Sequence, residues 1–234
     1  MRYPYHQTLQ KVNSAIDKQD AILPCQHPTF REIVVVCYPL PTKKKTTALF
    51  FGSFNPIHVG HLIIANTILQ LEGVDEVWLV VSPQNPLKER ASLLADHHRL
   101  QMVQRAIDDN YRLKVCDIEM HLPIPSYTVV TLAALQEKYP DRKFCLVMGS
   151  DNLSTFKKWR NYQYILDHYR LLVYPRPGSE HCELASHPSV TMVDVPMMDI
   201  SSSYIRQQIA AHKDVRYLLT EPVYKYLTEM HFYE

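Results

Sequence analysis

Glycine is scarce in this chain: five among 234 residues, against sixteen prolines. Each glycine is therefore informative, because a residue without a side chain marks a tight turn or a place where backbone approaches something closely. Gly52, Gly60 and Gly149 fall in two segments developed below, while Gly73 and Gly178 read as ordinary turn residues. Cysteine is equally uninformative as a framework. The five (Cys25, Cys37, Cys116, Cys145, Cys182) are odd in number, widely spaced and without a C-x-x-C pair. That excludes a disulfide scaffold and a structural zinc site, and points to a reducing compartment. Net charge is lacking too: the formal value is +1 with 21% charged residues. No global field exists to draw nucleic acid or a membrane surface, so any anion binding is local. Neither a charged segment leading into an apolar stretch at the start nor a run of about 18 apolar residues is present. The expectation is a cytoplasmic protein, neither exported nor membrane-spanning. There is no internal repeat and no low-complexity stretch.

What is present is a regular alternation. Residues 1–45 have weak periodicity, several prolines and a basic Lys43-Lys44-Lys45 run, and read as an appended, poorly defined extension, with 33–36 as a candidate edge strand. From residue 46 to 234 apolar β-type runs (48–51, 77–81, 113–115, 144–148, 171–174, 190–195) alternate with helical patterns (58–71, 96–107, 129–138, 162–167). Such alternation predicts an α/β fold, a doubly wound parallel sheet covered on both faces. Two helices, 201–211 and 221–230, close it.

The segment richest in chemistry is Gly52-Ser53-Phe54-Asn55-Pro56-Ile57-His58-Val59-Gly60-His61, where the first strand gives way to a helix. Asn55 reads as an N-cap and Pro56 as a first-turn residue, so that helix N–H groups face the crevice above the sheet, a ready anion site. His58 and His61, three apart, share one face of the first turn, and Gly60 leaves room for close approach. The spacing alone also admits a metal site or two capping histidines. A second cluster, Ile200-Ser201-Ser202-Ser203-Tyr204-Ile205-Arg206, offers hydroxyls, N–H groups and a guanidinium for phosphate oxygens, or else a plain N-cap with a surface arginine.

Together these segments resemble the nucleotidyltransferase superfamily with the His-x-Gly-His motif, which pairs Gly-x-Phe-x-Pro-x-His-x-Gly-His with Ile-Ser-Ser-Thr-x-Ile-Arg. Serine stands at 203 where the family has threonine, and keeps the hydroxyl. Within that superfamily residues 46–234 resemble bacterial-type nicotinate-nucleotide adenylyltransferases. Three segments carry the likeness: Pro125-Ser126-Tyr127-Thr128 before Val129-Val130-Thr131-Leu132, Gly149-Ser150-Asp151-Asn152-Leu153 with Trp159, and Pro86-Leu87-Lys88 with Arg99. The resemblance implies a Rossmann-like fold and transfer of AMP from ATP to nicotinate mononucleotide, giving deamido-NAD and pyrophosphate in NAD biosynthesis. It implies His58, His61, Lys88 and Arg206 as catalytic groups. ATP would be bound by Gly52, Ser53, Phe54, His58, Gly60, His61, Gly149, Asp151, Ser201, Ser202, Ser203 and Arg206. The acceptor would meet Lys88, Arg99, Tyr127, Thr128 and the Trp159 indole. Mg²⁺ is expected on the ATP phosphates, no protein metal ligands are assigned, and a homo-oligomer is left open. Taken singly, Trp159 also fits a surface groove, Tyr127 the core, and Lys88 and Arg99 solvated charges. Other acceptors (nicotinamide mononucleotide, phosphopantetheine, a phosphorylated alcohol), a nucleotide sensor without turnover, and a relative of class I aminoacyl-tRNA synthetases are the competing readings.

If the strand order is 3-2-1-4-5, the first and fourth strands are neighbours, and the histidine and Gly149 segments line one crevice at their carboxyl ends.

Overall fold

The computed structural model describes residues 44–83, 93–177 and 182–234. The candidate strand at 33–36, the basic residues of the extension up to Lys43, and Lys88 lie outside them.

Six strands form one sheet: β1 (Lys45–Gly52), β2 (Glu76–Val81), β3 (Leu113–Cys116), β4 (Arg142–Gly149), β5 (Arg170–Tyr174) and β6 (Val190–Met192). Their order is β3-β2-β1-β4-β5-β6 and every pairing is parallel. Parallel strands need crossovers, and these are supplied by α1 (Val59–Leu69), α2 (Asp96–Ile107), α3 (Thr128–Lys138), α4 (Ser150–Thr155) and α5 (Tyr162–His168). The chain closes with α6 (Ser202–Ala210) and α7 (Glu221–Glu229).

Both sheet faces are covered, and the strand sequences divide between them with period two. Ala48 and Phe50 of β1, with Val77, Leu79 and Val81 of β2, pack against Ala65 and Ile68 of α1, Met102 and Val103 of α2, Ile205 of α6 and Val223 of α7. Leu49, Trp78 and Val80 face the opposite way, onto Leu132 and Leu135 of α3, Leu153 of α4, and Ile165 and Leu166 of α5. A strand buried on both faces reads as an unbroken apolar run, which is why β1, β2 and β4 were plain in the sequence. Among the described residues no helix is long and apolar enough to cross a membrane.

This topology positions the site. The winding reverses between β1 and β4, which are paired in register from Lys45 with Arg142 to Phe50 with Val147. The segments leaving their carboxyl ends therefore emerge side by side.

Candidate active site

Beyond Gly52 the chain turns sharply before α1 begins. Phe54 has φ 46°, the Asn55–Pro56 peptide is cis, and His58, not Asn55, is the N-cap. The expected capping role of Asn55 and first-turn place of Pro56 are corrected accordingly. The reason is tertiary. Asn55 is 1% exposed, and its Oδ1 accepts from the Leu94 N–H at 3.2 Å and from the Tyr233 hydroxyl at 2.6 Å. Its carbonyl accepts from Arg206 Nη1 at 2.8 Å, and the Pro56 carbonyl accepts from Ser202 Oγ at 2.9 Å. These partners hold 55–57 in a turn, so the N-cap lies three residues beyond Asn55, while the helix itself begins within one residue of the expected 58. The bulky Phe54 occupies left-handed backbone because its buried ring is fixed against Phe50 and His61, at 5.8 and 5.1 Å between centroids.

The two histidines lie together, rings 3.7 Å apart. His61 Nδ1 accepts from the His58 N–H at 3.3 Å, so a neutral His61 carries its proton on Nε2. His58 is buried, and among the described residues its Nδ1 has no hydrogen-bond partner. Burial, reinforced by the nearby Arg176 charge, lowers its pKa to about 4, so the ring is neutral at pH 7. A Cβ at Gly60 would stand 3.0 Å from His58 Nδ1, so a larger residue there would displace the His58 ring by a few tenths of an ångström.

The carboxyl end of β4 completes the crevice. Gly149 caps α4, and a Cβ on it would collide with Asp151 Oδ1 and approach Arg176 Cγ at 3.0 Å. Arg176 Nε lies 4.0 Å from Asp151 Oδ1, and the Arg176 N–H donates to Ser150 Oγ at 2.8 Å. One pocket is lined by His58, Gly60, His61, Arg176, Met198 and Ile200, among others. Ser201 caps α6 by accepting the Tyr204 N–H at 3.1 Å, and Arg206 Nη2 donates to Ser203 Oγ at 3.2 Å.

The starts of α1 and α6, tied to one turn beyond the carboxyl end of β1, can be set against known proteins. The cytidylyltransferase-like family model matches residues 49–208. A "Probable nicotinate-nucleotide adenylyltransferase" of Christiangramia forsetii is 49% identical over 192 residues, covering 81% of this chain and 99% of that one. A protein of the same name from Flavobacterium johnsoniae is 49% identical over 188 residues, covering 80% and 97%. The chain belongs to the nicotinate-nucleotide adenylyltransferase family. The fold agrees with the solved nicotinic acid mononucleotide adenylyltransferase of Plasmodium falciparum complexed with NaAD, at TM-score 0.69 and 22% identity, over 81% of this chain and 97% of that one.

Two of the segments expected to meet an acceptor lie together in the structure. Tyr127 caps α3, which starts at Thr128, and the Arg160 guanidinium lies 4.9 Å over the Tyr127 ring. That contact brings the Trp159 segment to the start of α3. Trp159 itself is half-buried against Phe156, 5.0 Å between ring centres.

Arg99 is a correction. It is fully buried, its Nη1 donating to the carbonyls of Ser53 at 2.6 Å and Ser82 at 2.8 Å, its Nε to Leu94 at 3.1 Å, and its Nη2 to Asp96. A guanidinium engaged by the β1–α1 and β2–α2 connections braces the site from beneath and leaves no exposed surface for an acceptor. Its helical spacing with the buried Met102 and Val103 was the available signal.

Two residues escaped the sequence reading. Arg176 follows β5 between two prolines, and only its place at a strand's carboxyl end flagged it. Glu119, 3% exposed, accepts from Ser126 Oγ at 3.2 Å and Thr131 Oγ1 at 2.7 Å, anchoring the turn that starts α3. Nothing local marks it, because its partners lie further along the chain.

Proposed function

We propose that this protein transfers the adenylyl group of ATP to nicotinate mononucleotide, releasing pyrophosphate and forming deamido-NAD, a step of NAD biosynthesis. The observation that carries this reading is the convergence of His58, His61 and Arg176 at a helix N-terminus whose preceding turn is held by Ser202 and Arg206.

The acceptor's phosphate oxygen attacks the α-phosphorus in line, and the bond to the β,γ-diphosphate breaks. That nucleophile is already ionised at neutral pH, so no side-chain base is needed. The protein's work is to position two anions and stabilise charge as it moves onto the leaving group. His58, neutral by burial, and His61 act as N–H donors beside the dipole of α1, with Arg176 and Arg206 as cations, and Lys88 is assigned to the same task. A neutral imidazole suits this place: it enters without charge and gains favourable interaction as phosphate charge approaches. Gly149 and Asp151 face the nucleoside hydroxyls, and the exposed Met197 and Met198 form a soft apolar wall for the base. Tyr127, Thr128 and the Trp159 indole receive the pyridine ring and its carboxylate. Mg²⁺ would be carried mainly by the nucleotide's own phosphates, whose charge it would neutralise.

The test is pyrophosphate release from ATP and Mg²⁺ with nicotinate mononucleotide, nicotinamide mononucleotide and phosphopantetheine in parallel. Strong preference for the first is expected. Preference for another acceptor overturns the acceptor-site assignment, and ATP binding without turnover on all three favours a nucleotide sensor.

A further inference from the structure

The histidine segment is touched by a residue from the far end of the chain. Tyr233, next to last, donates its hydroxyl proton to Asn55 Oδ1 across 178 positions. With Leu94 on the same oxygen and Arg206 on the Asn55 carbonyl, three separate segments converge on one buried residue three positions before His58. Burial raises the Tyr233 pKa, against the opposing charges of Arg206 and Arg99, so the hydroxyl stays a donor across the neutral range.

The tail that delivers this hydroxyl is itself built to a fixed shape. His231 and Tyr233 both have left-handed backbone, at φ 52° and 67°, which non-glycine residues keep only where their surroundings over-determine them. Those surroundings are a plug of rings. Phe232 is 9% exposed, 4.7 Å from the His98 ring and 5.7 Å from Tyr226, and its N–H donates to the Leu227 carbonyl at 3.2 Å. A His98 ring nitrogen shares a 2.8 Å hydrogen bond with the Tyr226 hydroxyl, and Arg105 lies 4.6 Å over the Tyr226 ring. Phe232 thus docks on α2 and α7 and presents Tyr233 to the turn.

We propose that Tyr233 is a positioning residue for adenylyl transfer: through Asn55 it holds the 53–58 turn, and with it His58 and the start of α1, in the arrangement that receives the triphosphate. This rests on reading the site as an ATP site. Among the described residues the Tyr233 hydroxyl bonds Asn55 and neither α3 nor Trp159, so its loss acts on turnover and not on acceptor binding.

The experiment compares the wild-type full chain with Tyr233→Phe, which keeps the ring and removes one hydroxyl, and with a chain ending at Phe232. Turnover, the KM for nicotinate mononucleotide, the urea midpoint and amide hydrogen exchange are all read. For Tyr233→Phe we expect kcat lower by about three- to tenfold, in line with one lost hydrogen bond. KM for the acceptor and the urea midpoint should stay close to wild type, with faster exchange confined to 53–62. The shortened chain should show the same local exchange. Unchanged kcat with unchanged exchange overturns the proposal, as does an exchange increase spread evenly over all helices, which would mean a general loss of stability. If the wild type turns over none of the acceptors, the functional reading fails on its own, and local exchange at 53–62 still decides whether Tyr233 holds the turn.

Discussion

At the amino end of the sheet Glu76 is buried among donors, whereas at the carboxyl end His58 is buried with its Nδ1 unpartnered among the described residues. Glu76 Oε2 accepts from Trp78 Nε1 at 3.0 Å and Arg142 Nη1 at 2.7 Å, while Oε1 meets Lys114 at 3.3 Å and Lys45 at 3.5 Å. Burial by itself would raise the Glu76 pKa, but the hydrogen bonds from Trp78 and Arg142, the Arg142 charge and the Lys114 contact outweigh it and hold it at about 2. For His58, burial and Arg176 act in the same direction, lowering the pKa to about 4. One end therefore compensates its buried charge from within the protein. The other end holds a buried neutral ring whose Nδ1 has no partner among the described residues, beside an arginine that meets Asp151 and the Tyr174 hydroxyl. A buried polar atom left without a partner in a crevice is the mark of a candidate site, and a saturated ion cluster is the mark of a strut.

The sharpest break of this contrast is His61→Ala. Loss of such a donor typically costs about 2.7 to 4 kcal/mol in the transition state, so turnover should fall a hundredfold or more while the urea midpoint hardly moves. Near-normal turnover would remove His61 from the catalytic groups. Next is acid stability. With a folded pKa of about 4 against 6.5 unfolded, His58 binds its proton more readily in the unfolded chain between those values. Its contribution is complete above pH 6.5 and is lost as pH falls towards 4, a swing on the order of 3 kcal/mol. Urea unfolding at pH 7 and pH 4 should show that fall in the wild type and a smaller one in His58→Asn. At the strut, Glu76→Gln should cost about 2 kcal/mol of stability by leaving Arg142 without its carboxylate, with kcat unchanged. A loss of activity greater than the loss of folded protein would erase the distinction between the two ends. Smallest is Lys45→Met: its side chain is 61% exposed, and the expected cost is under about 1 kcal/mol in the same urea assay.

The same contrast explains what the sequence disclosed. Element type followed from hydrophobic period: α2 spans 96–107 as expected, and the order of the first five strands is that of a doubly wound sheet, with β6 added at the edge beside β5. The local arrangement was legible as well, since His58, Gly60 and His61 fall within the first turn of α1. What stayed hidden depends on distant partners. The cap of α1 lies at His58 and not at Asn55 because Leu94, Ser202, Arg206 and Tyr233 grip 55–57, and none of them is near it in sequence. Arg99 reads as a free cation until three carbonyls from two connections close around it. The short helix α4 was missed because six residues carry too little period to register.

The chain has two tryptophans, and both pack against the core on one face of the sheet. Trp78 is 6% exposed at the strut, with the Arg142 guanidinium 5.0 Å over its ring, while Trp159 is half-buried beside the proposed acceptor site. The protein thus carries one indole fluorophore sealed in the scaffold and one open to solvent. If the acceptor binds as proposed, its arrival changes the emission of Trp159, and Trp159→Phe leaves a chain whose light reports the scaffold alone.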